Sequence, residues 1–100
     1  MKINAMFPHI YETRRFSAEF TDNSGNIKYQ EFAGSGHDAN VAQKIRTKLR
    51  KKGYRVFAIL ELLDGFTRSD TMAMPELESK KYVRLIWHNK KILQVVFANA

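Results

Sequence analysis

The sequence has no cysteine, few glycines and prolines, and no long apolar run. Without a thiol, a disulfide scaffold, a thiolate zinc site and a cysteine nucleophile are excluded. No stretch approaches the roughly 20 consecutive apolar residues of a membrane-spanning helix, and residues 1–9 lack the apolar run of a signal peptide. We therefore expect a cytoplasmic protein without a membrane partner.

The residues that are present are typical of a globular protein. Of 100 residues, 44% are apolar and 27% are charged, which argues against disorder, a collagen-like chain and a coiled coil. A chain of this length buries enough surface for one small hydrophobic core. We predict a single domain over residues 1–100.

Alternating apolar and polar residues predict an antiparallel hairpin in the first third of the chain. Phe16, Ala18 and Phe20 alternate with polar residues, and the alternation resumes at Ile27. Between them, the polar residues 22–26 form a dense turn signal.

A helix is predicted over about 38–52, because apolar residues recur there at spacings of three and four: Ala42, Ile45 and Leu49. Its first turn is expected to be capped either by Ser35, in a capping box with Asp38, or by Asp38 itself. Gly53 stands where a left-handed residue commonly ends a helix.

Residues 54–63 are apolar on both faces, which is typical of a central strand covered on both sides or of a strand at an interface. Phe57, Ile59 and Leu63 form the second of these faces, so a homodimer is a further hypothesis. Residues 64–80 form a polar stretch that is long for a loop in a small domain.

A second hairpin is predicted from strands at 82–88 and 91–98 around Asn89 and Lys90, with Val83, Leu85 and Trp87 on one face. The predicted fold class is α+β. A mostly antiparallel sheet of about five strands, in the chain order β-β-α-β-β-β, packs one face against the single helix.

The formal net charge of +7 comes from one short segment, residues 44–55, which we call the basic segment. It contains seven basic residues and no acidic one, whereas the rest of the chain has ten of each. Such an asymmetry indicates a polyanionic partner. The seven cations are Lys44, Arg46, Lys48, Arg50, Lys51, Lys52 and Arg55.

The basic residues surround the exposed side of the predicted helix. Lys44 and Lys51 lie opposite the apolar stripe. Arg46 and Arg50 lie on one flank, and Lys48 lies on the other. Solubility and the helix dipole also favour such cations. However, a solvated helix usually has glutamates between its basic residues, and the predicted helix has no acidic residue beyond its first turn. We interpret the seven cations as binding residues for nucleic acid or an acidic partner, with a solvated face as the alternative.

The first functional hypothesis is a small non-catalytic module that docks on nucleic acid or a nucleoprotein complex through the basic segment. Phosphate contact depends on charge rather than base identity, which suits a helix that is positive all round. The alternative is an inhibitor or adaptor of the type found in phages and mobile elements. Such a protein would block a host complex, for example a nucleic-acid-binding defence complex, through a sheet edge, the 54–63 strand or the methionine-bearing loop.

A small ribonuclease is a third hypothesis, with His37, His88, Glu61 and Arg84 as its candidate residues. No spacing in the sequence requires catalysis, so we expect a protein that is not an enzyme.

The scattered histidines predict no metal site. We interpret the G-x-G-x-x-A match at 34–39 as the entry turn of the helix, because an aspartate there would repel a pyrophosphate. No cofactor is expected.

Overall fold

The computed structural model describes residues 12–91, which form one antiparallel four-stranded sheet with a helix packed on one face. The elements in chain order are β1 (Arg14–Thr21), β2 (Ile27–Gly34), α1 (Asp38–Arg50), β3 (Arg55–Leu62), α2 (Arg68–Met72), α3 (Glu76–Ser79) and β4 (Val83–His88). The strands lie in the spatial order β2-β1-β3-β4. The α+β class and the antiparallel sheet are confirmed, but the described residues contain four strands where about five were predicted and three helices where a single helix was predicted.

The predicted hairpin of β1 and β2 is confirmed. The turn is held by the Asp22 carboxylate, whose Oδ1 accepts hydrogen bonds from the backbone N–H groups of Ser24 (2.9 Å) and Asn26 (3.0 Å). Gly25 adopts a φ of 82° within this turn, in the left-handed region that favours glycine. The two strands then pair without a register shift.

The hydrophobic core lies between α1 and one face of the sheet. The predicted apolar stripe of the helix is confirmed, with Val41 as a fourth member. Each large apolar side chain buried in this way contributes about 1.5–3 kcal/mol. The buried core residues are Phe16, Ala18, Phe20, Val41, Ala42, Ile45, Leu49, Val56 and Ile59.

The predicted caps at the start of α1 are wrong. His37 occupies the N-cap position and makes no side-chain capping bond. Neither Ser35 nor Asp38 acts as the cap, because Asp38 is the first helical residue and its carboxylate binds the guanidinium groups of Arg14 and Arg84 instead. Two long-range ion pairs therefore hold Asp38, and no side chain caps the start of α1.

The end of α1 is as predicted. Gly53 has a φ of 83°, its N–H donates to the Arg50 carbonyl (2.9 Å), and the Tyr54 N–H donates to the Leu49 carbonyl (3.1 Å). These two bonds form the Schellman motif, which closes a helix through a left-handed glycine. The helix itself ends at Arg50, so residues 51 and 52 of the predicted helix belong to this closing turn.

β3 is the predicted central strand, but its residues do not alternate strictly. Phe57 is an extra residue opposite the Glu19–Phe20 step of β1, which makes a β-bulge. Val56 and Ile59 therefore both face α1. Of the predicted second apolar face, Phe57 and Ile59 are buried within one chain and Leu63 is half-buried, so these residues do not form an exposed apolar face.

A second bulge changes which side chains of β4 face α1. Leu85 pairs with Leu60 and Trp87 pairs with Ile59, which leaves Ile86 as an extra residue. Trp87 therefore packs on the core beside α1, while Leu85 lies on the opposite face. The prediction that Leu85 and Trp87 share one face is wrong, because the bulge interrupts the period of two.

The predicted turn at Asn89 and Lys90 is also wrong. Lys90 and Lys91 have helical backbone, and the Asn89 side chain accepts a hydrogen bond from the Lys91 N–H (3.1 Å). Asparagine is a favoured N-cap, so here it begins a helical turn. The predicted fifth strand over 91–98 lies outside the described residues, apart from Lys91.

The 64–80 stretch contains α2 and α3 and packs on the sheet face opposite α1. Arg68 Nε donates to the buried Glu19 carboxylate (3.0 Å), and the Tyr29 hydroxyl lies 2.7 Å from Ser69 Oγ. Glu19 and Tyr29 pair across β1 and β2 and alternate with the residues that face α1. Asp70, which lies on α2, is therefore on the other side of the sheet from the basic segment.

Candidate nucleic-acid interface

The basic segment forms an exposed surface. Its first four cations lie on α1, the next two in the closing turn, and Arg55 begins β3. Arg46 is half-buried, and the side chains of the other six are exposed: Lys44, Lys48, Arg50, Lys51, Lys52 and Arg55.

No carboxylate within residues 12–91 forms an ion pair with a cation of this segment. The ion pairs of the described residues use the cations Arg14, Arg15, Lys28, Arg68, Lys80 and Arg84 instead. The acidic residues near the helix, Asp38 and Glu61, are occupied by Arg14 and Arg84. The positive potential of the basic segment is therefore not cancelled locally.

On one flank of α1 lies a groove of about 460 Å³, which we call the arginine groove. The cations that line it are Arg46, Arg50 and Arg55, and its aromatic residues are Tyr54 and Trp87. The guanidinium carbon of Arg46 lies 4.6 Å from the centroid of the Trp87 ring, which is a cation–π contact.

On the other flank lies a wider groove of about 730 Å³ between α1 and β2, which we call the lysine groove. Lys44 and Lys48 line it together with Phe32. The Lys48 ammonium lies 5.9 Å from the Phe32 ring centroid, near the limit of a cation–π contact. The arginines and Lys48 lie on opposite flanks, as predicted from their helical spacing, whereas Lys44, which was expected opposite the apolar stripe, lines the same groove as Lys48.

A network of four charged side chains fixes the start of α1 to the sheet. The Glu61 Oε1 atom accepts hydrogen bonds from Arg84 Nη2 (2.8 Å) and Arg14 Nη1 (3.3 Å), and Asp38 accepts from the same two arginines. The hydrogen bond from Arg84, followed by that from Arg14, lowers the pKa of Asp38 below its ordinary value. The same bond to Asp38 raises the pKa of Arg84. These carboxylates position the helix and are not available to the basic segment.

The candidate ribonuclease residues are placed in three different settings. Glu61 and Arg84 bind each other within the network above. His37 is exposed at the N-cap position of α1. His88 pairs with Ala58, which faces away from α1. The structure thus brings two of the four together, in an ion pair. Within residues 12–91, no group of three or more histidine, aspartate or glutamate side chains is arranged to hold a metal ion.

Sequence reasoning did not find the two aromatic residues of the arginine groove. Trp87 reaches it only because of the bulge at Ile86, which has no local signal in the sequence. Tyr54 follows the helix-ending glycine and stacks on Phe20, with ring centroids 5.0 Å apart. A hydrophobic residue after a left-handed glycine commonly contacts the helix end, and this was the one available signal.

Comparison of the chain with protein-family models, with curated proteins and with solved structures gives no match. In the part of the chain that the structure describes, every helix is too short or too polar to cross a membrane.

Proposed function

We propose that this protein is a small non-catalytic binding module that docks on nucleic acid, free or within a nucleoprotein complex, through the basic segment. The observation that carries the proposal is the uncancelled charge of residues 44–55. Seven cations lie in twelve consecutive positions, six of them are exposed, and none is paired with a carboxylate of residues 12–91.

The arrangement of the charge supports a repeating anionic partner over a single anion. Cations occupy both flanks of α1 and its closing turn, so a phosphate backbone meets several of them at once. Phosphate contacts by lysine and arginine release condensed counterions, and this supplies most of the affinity of sequence-independent binding. α2, which carries Asp70, packs on the far side of the sheet, so the uncancelled positive charge on the α1 side orients the approach of an anionic ligand.

The test is a charge reversal with a matched control. Lys44 lies on α1 and Lys51 in its closing turn, both side chains are exposed, and K44E/K51E changes the net charge by −4. The control K80E/K81E makes the same change at exposed positions outside the basic segment. Binding to a mixed-sequence oligonucleotide is measured by anisotropy at low salt, with circular dichroism to verify folding.

We expect K44E/K51E to lose at least about tenfold in affinity and K80E/K81E to lose less than about threefold. Equal losses in the two folded variants would mean that net charge alone attracts the oligonucleotide. Unchanged binding by K44E/K51E, or no binding by the unaltered protein at low salt, contradicts the proposal.

A second candidate function, inhibition or bridging of a host protein complex, is supported by exposed apolar side chains outside the basic segment. Met72 is 51% exposed, Leu77 81% and Leu85 47%. Methionine and leucine side chains at an exposed surface suit an adaptable protein contact. A protein partner that is retained after nuclease treatment, and is lost from the L77D variant but not from K44E/K51E, would favour this function.

A further inference from the structure

The cations of the basic segment are divided by chemistry as well as by position. The arginine groove is lined by three arginines and no lysine, whereas the lysine groove is lined by two lysines and no arginine. The planar guanidinium fork binds a phosphate through two parallel hydrogen bonds and stacks on flat groups, while an ammonium acts as a point charge. The two flanks are therefore suited to different contacts.

Arg46 is held in place before any ligand arrives. Its guanidinium lies over the Trp87 ring at 4.6 Å, and its Nε is buried without an acceptor among the described residues. The indole and the surrounding packing, rather than a carboxylate, fix its plane. A guanidinium plane stacked in this way is a platform on which a base can stack.

Arg50 and Arg55 flank this platform from two different elements. Arg50 is in the last turn of α1 and Arg55 is the first residue of β3, and the Schellman turn at Gly53 brings the two elements together. Both side chains are exposed, line the same groove and have no ion-pair partner in residues 12–91. The two unpaired guanidinium groups are suited to bind a phosphate, and the adjacent stacking platform is suited to the base of the same nucleotide.

The combination of arginine and aromatic side chains in the groove favours a single strand over a duplex. A duplex presents its phosphates on a rigid cylinder and keeps its bases stacked inside. Stacking groups combined with a cationic groove are typical of proteins that bind single strands.

We infer that the arginine groove anchors one nucleotide of a single-stranded nucleic acid, with its phosphate on Arg50 and Arg55 and its base stacked on the Arg46–Trp87 pair. This inference rests on the proposed function and assigns it a class of ligand and an anchoring site. The lysine groove and the closing turn then supply additional, less specific phosphate contacts along the strand.

Trp87 is the only tryptophan of the chain, so its intrinsic fluorescence reports on this groove alone. The probes are oligothymidine, oligouridine and a mixed-sequence duplex of the same length. We expect both single strands to change the Trp87 emission and to bind more tightly than the duplex. Comparison of the affinities for oligothymidine and oligouridine identifies which of the two single strands is preferred.

Three matched variants test the assignment of residues. R50A/R55A and K44A/K48A remove equal charge from the two grooves, and R50K/R55K keeps the charge but removes the guanidinium forks. We expect R50A/R55A to lose about tenfold or more in single-strand affinity, because charge-assisted hydrogen bonds are lost. We expect R50K/R55K to lose about threefold or more and K44A/K48A to lose less than either.

The possible failures are distinguishable. Suppose that the protein binds single strands but all three variants lose the same affinity, or that R50K/R55K binds as tightly as the unaltered protein. In either case the assignment of the anchoring site is wrong, while the proposed function stands. Tighter binding of the duplex, or single-strand binding without a change in Trp87 emission, also overturns the inference. If no nucleic acid binds at low salt, the proposed function itself fails.

Discussion

Replacing Glu61 by glutamine removes a buried charge from the network that holds α1 on the sheet. Glu61 is 8% exposed, and its Oε1 accepts hydrogen bonds from Arg84 (2.8 and 3.0 Å) and from Arg14 (3.3 Å). The side chain of Arg14 is 9% exposed and its Nε is buried without an acceptor in residues 12–91. In E61Q, this guanidinium keeps Asp38 and the Gly36 carbonyl as partners but loses the nearest buried negative charge.

The magnitude follows from the burial of each partner. Removing one member of a buried ion pair costs about 3–5 kcal/mol. Two facts reduce this value: Arg84 is 45% exposed and is therefore partly solvated, and Asp38 continues to pair with both arginines. We expect the free energy of unfolding to fall by about 2 kcal/mol, a large part of the roughly 5–15 kcal/mol of a small domain.

Urea unfolding measured by circular dichroism tests this prediction. The midpoint should fall with an unchanged slope, since a change in stability alone leaves the slope as it is. The matched control is E76Q, because Glu76 is 84% exposed in its pair with Lys80 and such surface pairs contribute about 0–1 kcal/mol. If E61Q and E76Q shift the midpoint equally, the network does not stabilise the attachment of α1.

Two further predictions concern the ends of α1. Gly53→Ala should lower the free energy of unfolding by about 1–2 kcal/mol. The residue has a φ of 83°, and the added Cβ would lie 2.6 Å from the Asn23 side-chain oxygen. An unchanged thermal midpoint would contradict this prediction. The pKa of Asp38 is lowered in the folded state, so its ion pairs contribute stability above the ordinary value of 3.8 and lose it as the pH falls through the lower folded pKa. Asp38→Asn should therefore be less stable than the unaltered protein at neutral pH, and the two should converge toward pH 2 in acid-unfolding curves. A stability difference that is the same at both pH values would refute the attribution to ionised Asp38.

The elements with local signals were predictable from the sequence. The turn at 22–26, the apolar stripe of α1 and the glycine that ends it each depend on neighbouring residues, and the structure has all three. The central position of β3 followed from its apolar sequence on both faces. Short-range spacing and turn chemistry therefore suffice to predict these features.

Features that depend on distant partners were not predictable. Asp38 does not cap α1, because arginines 24 and 46 positions away bind its carboxylate. Trp87 joins Arg46 because of a bulge that strict alternation along β4 does not anticipate. The sequence therefore predicted the basic segment and its two flanks, but not the aromatic side of the arginine groove.

The salt dependence of binding to oligothymidine tests the central claim most directly. Each phosphate neutralised on a single strand contributes about 0.7 to the slope of log affinity against log salt. With seven cations in the basic segment, we expect a slope between about −2 and −5 for the unaltered protein. A slope near zero, or affinity too weak to measure even at low salt, would contradict the claim that the basic segment binds the phosphates of a nucleic acid.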